Sequence, residues 1–164
     1  MFDNDLMIDS HTLFITWTTY GSWLPGDVRG WRKTRAGTQK PQPLLANWCR
    51  ERMKEEAVLL NEKQRRAVEQ VFIRHAEIRG WELHTVNVRS NHIHVVVTAD
   101  RPPNQVRDQF KANATRVLRE LDEPVKNEKI WTRGGDVQLI DGESELESVI
   151  RYVSEAQDRM DRGR

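Results

Sequence analysis

The sequence predicts an α+β fold: one antiparallel sheet with helices packed on one of its faces, and an extra helix toward the C-terminal end. Three observations predict it. Residues 11–19, 81–88, 92–98 and 137–140 are short runs rich in β-branched and aromatic side chains. Residues 61–80 and 103–121 instead place apolar residues at helical spacing. The segments follow one another as strand, helix, strand, strand, helix, strand, and a further amphipathic helix comes last.

Each element has its own signature. Residues 1–10 are acidic and mixed and read as a loose tail. In residues 11–19 (HTLFITWTT), Leu13, Ile15 and Trp17 fall on one strand face, and Phe14, Thr16 and Thr18 on the other. Residues 20–27 (YGSWLPGD) carry two glycines and a proline, which is loop chemistry. Residues 29–40 hold Arg29, Arg32, Lys33, Arg35 and Lys40 around Trp31. Basic residues interleaved with an aromatic suit single-stranded nucleic acid, and they equally suit a solvated loop. Pro41 and Pro43 delay regular structure, and residues 46–56 then suit a short helix. Asn61 offers an N-cap with Gln64 as its capping-box partner, and Gly80 a C-terminal stop. Between them Val68, Val71, Phe72 and His75 share a helical face, where His75 reads as a packed residue.

Residues 81–88 pair with the run from 92 across the polar turn Arg89-Ser90-Asn91, giving a hairpin. Val86 and Val88 share one face of it, Thr85 and Asn87 the other, and His84, in step with the valines, reads as structural. Pro102 and Pro103 start the next helix, whose buried stripe is Val106, Phe110, Ala114, Val117, Leu118 and Leu121. Lys111 and Arg116 are among its surface cations and are candidate DNA contacts. After the Asp141-Gly142 turn, the last helix covers about residues 144–160, with Leu146, Val149, Ile150 and Val153 as its apolar stripe. The first six elements have the ferredoxin-like order, and the last helix is additional. No repeat, low-complexity tract or linker divides the chain, so residues 1–164 read as one domain with its core at about 12–160.

Composition narrows the function. A chain of 164 residues can bury one real core. Lys and Arg total 26 against 25 Asp and Glu, so any nucleic-acid surface must be a local cluster. Six tryptophans suit core packing for the most part, and an exposed one can stack on a base. A single cysteine, Cys49, excludes an intrachain disulfide and a cysteine-based zinc site, and fits a reducing cytoplasm. There is no signal-peptide pattern and no apolar run near the roughly 20 residues that span a bilayer, so no membrane partner is expected.

The chemistry concentrates in Ser90-Asn91-His92-Ile93-His94-Val95-Val96-Val97-Thr98. The valine run favours a strand, so His92 and His94 project from one face. Two such imidazoles can share a metal ion or grip a phosphate, and they can also simply hydrogen-bond to neighbours.

These residues resemble the single-tyrosine HUH transposases, which include bacterial insertion-sequence and REP-associated tyrosine transposases. The resemblance covers roughly residues 12–160. Its strongest piece is Val88-Arg89-Ser90-Asn91-His92-Ile93-His94-Val95-Val96-Val97, where two metal-binding histidines flank an apolar residue. The second is Ile150-Arg151-Tyr152-Val153, where the family keeps a nucleophilic tyrosine. Residues 18–27 and Trp131-Thr132-Arg133-Gly134-Gly135 also look like family segments. The resemblance implies a ferredoxin-like fold, a bacterial cytoplasmic location, single-stranded DNA near hairpins as substrate, and Mg²⁺ or Mn²⁺ as cofactor. It implies cleavage by Tyr152 with a 5′-phosphotyrosine and a free 3′-OH as products. Some relatives are monomers and others exchange the tyrosine helix in dimers, so a homodimer is one expectation.

The family's third metal ligand is an amide four residues after the tyrosine, and here that position is Ala156. Gln157 follows it, and Glu155 stands three residues after Tyr152. A regular helix keeps Glu155 near the face of Tyr152 and turns Gln157 away, whereas a π-bulge brings Gln157 round. The third ligand is therefore expected to be Gln157 or Glu155. A lone helix tyrosine can also be half-buried packing. Two rival functions follow. One is a domesticated protein that binds hairpin or single-stranded DNA without cutting it. The other is a histidine-triad nucleotide hydrolase, which needs a third histidine where this chain has Val96.

Overall fold

A computed structural model describes residues 9–33 and 35–156 of the chain. In order these form β1 (His11–Thr18), β2 (Trp31–Lys33), β3 (Gly37–Gln39), α1 (Pro43–Glu51), α2 (Glu62–Arg79), β4 (Glu82–Val88), β5 (His92–Ala99), α3 (Pro103–Glu120), β6 (Asp136–Leu139) and α4 (Glu143–Arg151). The helix then continues as a π-helical turn, Tyr152–Ala156.

The main sheet has the order β4-β5-β1-β6, with every neighbouring pair antiparallel, which is the ferredoxin-like arrangement. Alternation decides what each face carries. Leu13, Ile15 and Trp17 pair with Val97, Val95 and Ile93 across β1 and β5, and all six are fully or almost fully buried. They meet Val68, Phe72 and Ala76 of α2 and Val106, Phe110, Ala114 and Leu118 of α3 in one core. Phe72 and Phe110 meet edge to face at 4.9 Å, and Trp17 meets Phe72 at 5.8 Å. Burying each such side chain contributes roughly 1.5–3 kcal/mol. The other face of the same strands carries Phe14, Thr16, Thr18, His92 and His94.

The ends of α2 follow the sequence signals. Asn61 Oδ1 accepts from the Gln64 amide at 2.8 Å, Gln64 Oε1 accepts from the Asn61 amide at 2.9 Å, and Gly80 takes the left-handed conformation at φ 70°. His75 is packed, as expected: its ring bonds Gln109 at 2.9 Å and meets Trp81 and Phe110 edge on.

Elsewhere the structure departs from the sequence expectation. Within residues 29–40 a small hairpin forms, pairing Trp31 with Gln39 and Lys33 with Gly37, and Arg35 adopts φ 69° at its turn. The charge run concealed two short strands. α1 starts at Pro43 rather than three residues later, because proline needs no amide partner in a first turn. In β4 the register shifts between Leu83 and Thr85. That bulge leaves Leu83 against the core and frees His84 to bond Thr98 Oγ1 at 2.7 Å, so His84 is out of step with Val86 and Val88. α4 buries none of its own residues, and the helical winding changes at Tyr152. The expected helix residues 157–160 and most of the expected N-terminal tail lie outside the described residues. No helix among the described residues is long and apolar enough to cross a membrane.

Candidate active site

The histidine pair sits on β5, flanked by β1 and β4: Thr18 lies opposite His92, and Thr16 and Asn87 lie either side of His94. The two rings are 5.0 Å apart between centroids and nearly perpendicular. Each Nδ1 is engaged. His92 Nδ1 lies 2.7 Å from Asn91 Oδ1, an oxygen that only accepts, which makes Nδ1 the donor of that bond. His94 Nδ1 lies 3.2 Å from Thr16 Oγ1, which can accept in the same way. His94 is 7% exposed. Burial above all, then the positive charges of His92 and Arg89, lower its pKa from 6.5 to about 4. It is neutral at pH 7, the state in which imidazole ligates metal.

Tyr152 comes to the same face. Its ring meets His94 edge on at 6.4 Å and Phe14 at 6.3 Å, and Phe14 stacks on His94 at 5.5 Å. The next residue is the anchor: Val153 is fully buried, and Asn87 of β4 donates to its carbonyl at 3.3 Å. Tyr152 itself remains 55% exposed, so it is presented rather than packed away. Tyr152, His92 and His94 line one cleft of about 190 Å³, with Arg89, Trp23 and Arg29 also on its walls.

Among the described residues no third His, Cys, Asp or Glu stands with the histidine pair. Glu155 is exposed. Gln157 lies outside the described residues. The helical winding over Tyr152–Ala156 is π rather than α.

The remaining predicted residues divide. Trp31 lines a second, larger cleft of about 610 Å³ beside the first, with Trp23, Arg29, Thr38, Arg133 and Asp136. Lys33 and Arg35 are exposed on the β2–β3 hairpin, and Arg32 lies between Trp31 and Lys33 on β2. Lys111 and Arg116 are not brought to either cleft. Lys111 Nζ donates to the carbonyls of Thr132 at 3.0 Å and Gly134 at 2.7 Å. Partial burial, then repulsion from Arg107, lowers its pKa. Arg116 is bonded to Glu120 at 3.4 Å and Asn113 at 3.3 Å on the exposed side of α3.

Sequence reading did not single out Thr16, Asn91, Phe14 or the Trp23–Arg29 pair. Thr16 and Phe14 were signalled by sharing a strand face, but nothing local says that His94 lies opposite. Arg29 lies over the Trp23 ring at 3.8 Å while Asp27 grips its guanidinium at 2.7 and 2.8 Å. That contact lowers the Asp27 pKa.

Residues 49–156 match the family described as transposase, IS200-like. The chain belongs to this family. The matched span includes both histidines and Tyr152, and starts after the loop and hairpin of residues 20–40. No curated protein matches the chain significantly. One similar solved structure is that of the REP-associated tyrosine transposase bound to a REP hairpin, at 16% identity and TM-score 0.45. The similarity covers 87% of this chain and 64% of that one, so the chain spans less than two thirds of that relative's length.

Proposed function

We propose that the protein is a metal-dependent nickase and strand transferase for single-stranded DNA that works through a covalent bond to Tyr152. The observation that carries this reading is the meeting of Tyr152, His92 and His94 in one open cleft on the face of the sheet opposite the core. Family membership supports the same reading.

The two histidines fit a divalent ion such as Mg²⁺ or Mn²⁺: both rings are steered through Nδ1, and His94 is neutral. Gln157 or Glu155 completes the set in this proposal. When bound, the ion offsets charge developing on the scissile phosphate. The chain's own residues do the rest. The phenol oxygen of Tyr152 forms a bond to phosphorus as the bond from phosphorus to the 3′ oxygen breaks. The phenolic proton passes to solvent, and the departing 3′ oxygen takes one up. The ester bond is conserved in the phosphotyrosine, so a 3′-OH can later reverse the step. A neutral phenol is a weak nucleophile, so attack is helped by positive charge at the phosphate, to which Arg89 on the cleft wall contributes. Phe14 and His94 fix the ring, and Asn87 with Val153 fixes its backbone.

Hairpin-flanked single-stranded oligonucleotides with Mg²⁺ or Mn²⁺ test the proposal. The parent should give a covalent adduct on the peptide holding Tyr152 and a free 3′-OH. Tyr152→Phe should bind equally and give neither. Equal nicking by the Phe variant makes water the nucleophile and removes the proposal. A second reading, a non-cleaving DNA-binding relative, is favoured by Ala156 at the family's amide position and by the two-histidine cluster. It takes over if both proteins bind hairpins and neither cuts. α4 leaves Leu146, Val149 and Ile150 only half covered, so a homodimer belongs to the proposal, and light scattering reads it.

A further inference from the structure

We infer that the larger cleft beside the histidines is a base-stacking subsite for the nucleotide on the 5′ side of the cut, the one whose 3′ oxygen departs. This rests on the proposed tyrosine chemistry for its direction, but not for the existence of the subsite.

Direction comes from where the parts lie across the sheet. The tyrosine segment is tied to β4 through Asn87, and the Tyr152 ring meets His94 on β5 and Phe14 on β1. The larger cleft lies on the other side of the pair, over β1 and β6, where Thr16 and Asp136 face one another in the ladder. The two clefts share Thr16, Thr18, Trp23 and Arg29. In phosphoryl transfer the attacking and leaving oxygens stand roughly in line through phosphorus. With Tyr152 attacking from over His94 and Phe14, the 3′ oxygen leaves toward Thr16, Thr18 and β6, and its nucleotide enters the larger cleft.

The walls suit a base. Trp23 Nε1 donates to the Gly30 carbonyl at 2.8 Å, and Trp31 Nε1 donates to the Lys40 carbonyl at 3.0 Å. Both indoles are therefore held by their polar edges and line the cleft, with Arg29 over one face of Trp23. Arg29 is itself clamped by Asp27 and donates to the Ser22 carbonyl, so the Trp23–Arg29 wall is rigid before any ligand arrives. Stacking on such a prepared surface loses little ordering entropy and tolerates any base. Exposed Arg133 supplies positive charge for the backbone, while Asp136 disfavours a phosphate inside the cleft and leaves it to the base. Trp23, Arg29 and Trp31 precede the family-matched residues, whereas Arg133 and Asp136 lie within them.

The test walks 2-aminopurine, whose fluorescence is quenched by stacking, along the single-stranded arm of a hairpin oligonucleotide bound to Tyr152→Phe. One position should be quenched. Trp31→Ala and Trp23→Leu should relieve that quenching and weaken binding by roughly tenfold. Arg133→Gln, an exposed change that leaves the hairpin intact, should weaken binding without restoring fluorescence. In the parent, the quenched nucleotide should be the one left with the free 3′-OH. A quenched position on the 3′ side of the cut overturns the direction. Quenching at no position, or quenching that survives both tryptophan changes, overturns the subsite. Tryptophan-dependent quenching in a protein that never cuts overturns the tyrosine reading and leaves the subsite standing.

Discussion

His94 shows how much one side chain's chemistry depends on its neighbours. Its pKa is lowered from 6.5 to about 4 by burial, then by the charges of His92 and Arg89. Between those values the unfolded chain binds the proton and the folded one does not. Stability is therefore full above about pH 6.5 and falls as pH drops toward 4, by at most about 3 kcal/mol. Urea unfolding of the parent and His94→Gln across this range checks it: the Gln variant should lose less stability on acidification. Thr16 is the second residue-scale case. Thr16→Val keeps the shape and removes the partner of His94 Nδ1. Mn²⁺ affinity by calorimetry should fall by roughly tenfold or more while the melting temperature barely moves. An unchanged affinity would mean that packing against Phe14 alone orients the ring.

At the scale of elements, what could be read depended on whether the cause was local. α2 was legible at both ends because Asn61, Gln64 and Gly80 act within a few residues. Asn61→Ala should cost about 1 kcal/mol in chemical denaturation. The tyrosine helix was legible as a helix, yet its change to π winding at Tyr152 coincides with an anchor to a distant strand through Asn87 and Val153. Val153→Ala removes two buried methyl groups and should cost roughly 1.5 kcal/mol. It should also lower adduct yield more than DNA binding, because the freed turn presents Tyr152 less consistently. Equal loss of both would assign Val153 to overall stability alone. The β2–β3 hairpin was hidden because its strands are three residues each and carry the charge run.

For the whole molecule, the sheet separates two jobs. One face holds the core with α2 and α3, and the other holds the histidines and tyrosine. Cations on the two sides should therefore behave differently toward DNA. Replacing Lys33 and Arg35 on the hairpin with Gln should flatten the salt dependence of binding, by up to about one unit of slope for each phosphate no longer neutralised. Arg116→Gln, on the exposed side of α3, should leave the slope unchanged. Lys111→Met should instead reduce stability, since the carbonyls of Thr132 and Gly134 lose their donor. Filter binding over a salt series, with urea melts beside it, separates these outcomes. A slope that responds to Arg116 would place DNA across the helical face as well.

The His-x-His spacing, the strand alternation and the helix caps needed only neighbours in sequence, so residues alone determined the ferredoxin-like order and the shared face of His92 and His94. Convergence was a different matter. That Thr16 meets His94, that Phe14 meets both His94 and Tyr152, and that Trp23 with Arg29 forms a wall of both clefts depend on strand register and on loops closing over the sheet. A bulge in β4 turned His84 out of step, and the approach of α3 to the loop at 132–134 gave Lys111 to backbone carbonyls. Covalent geometry repeats every few residues and can be read along a chain. Contacts between distant residues depend on how whole elements pack, and only the folded molecule decides them.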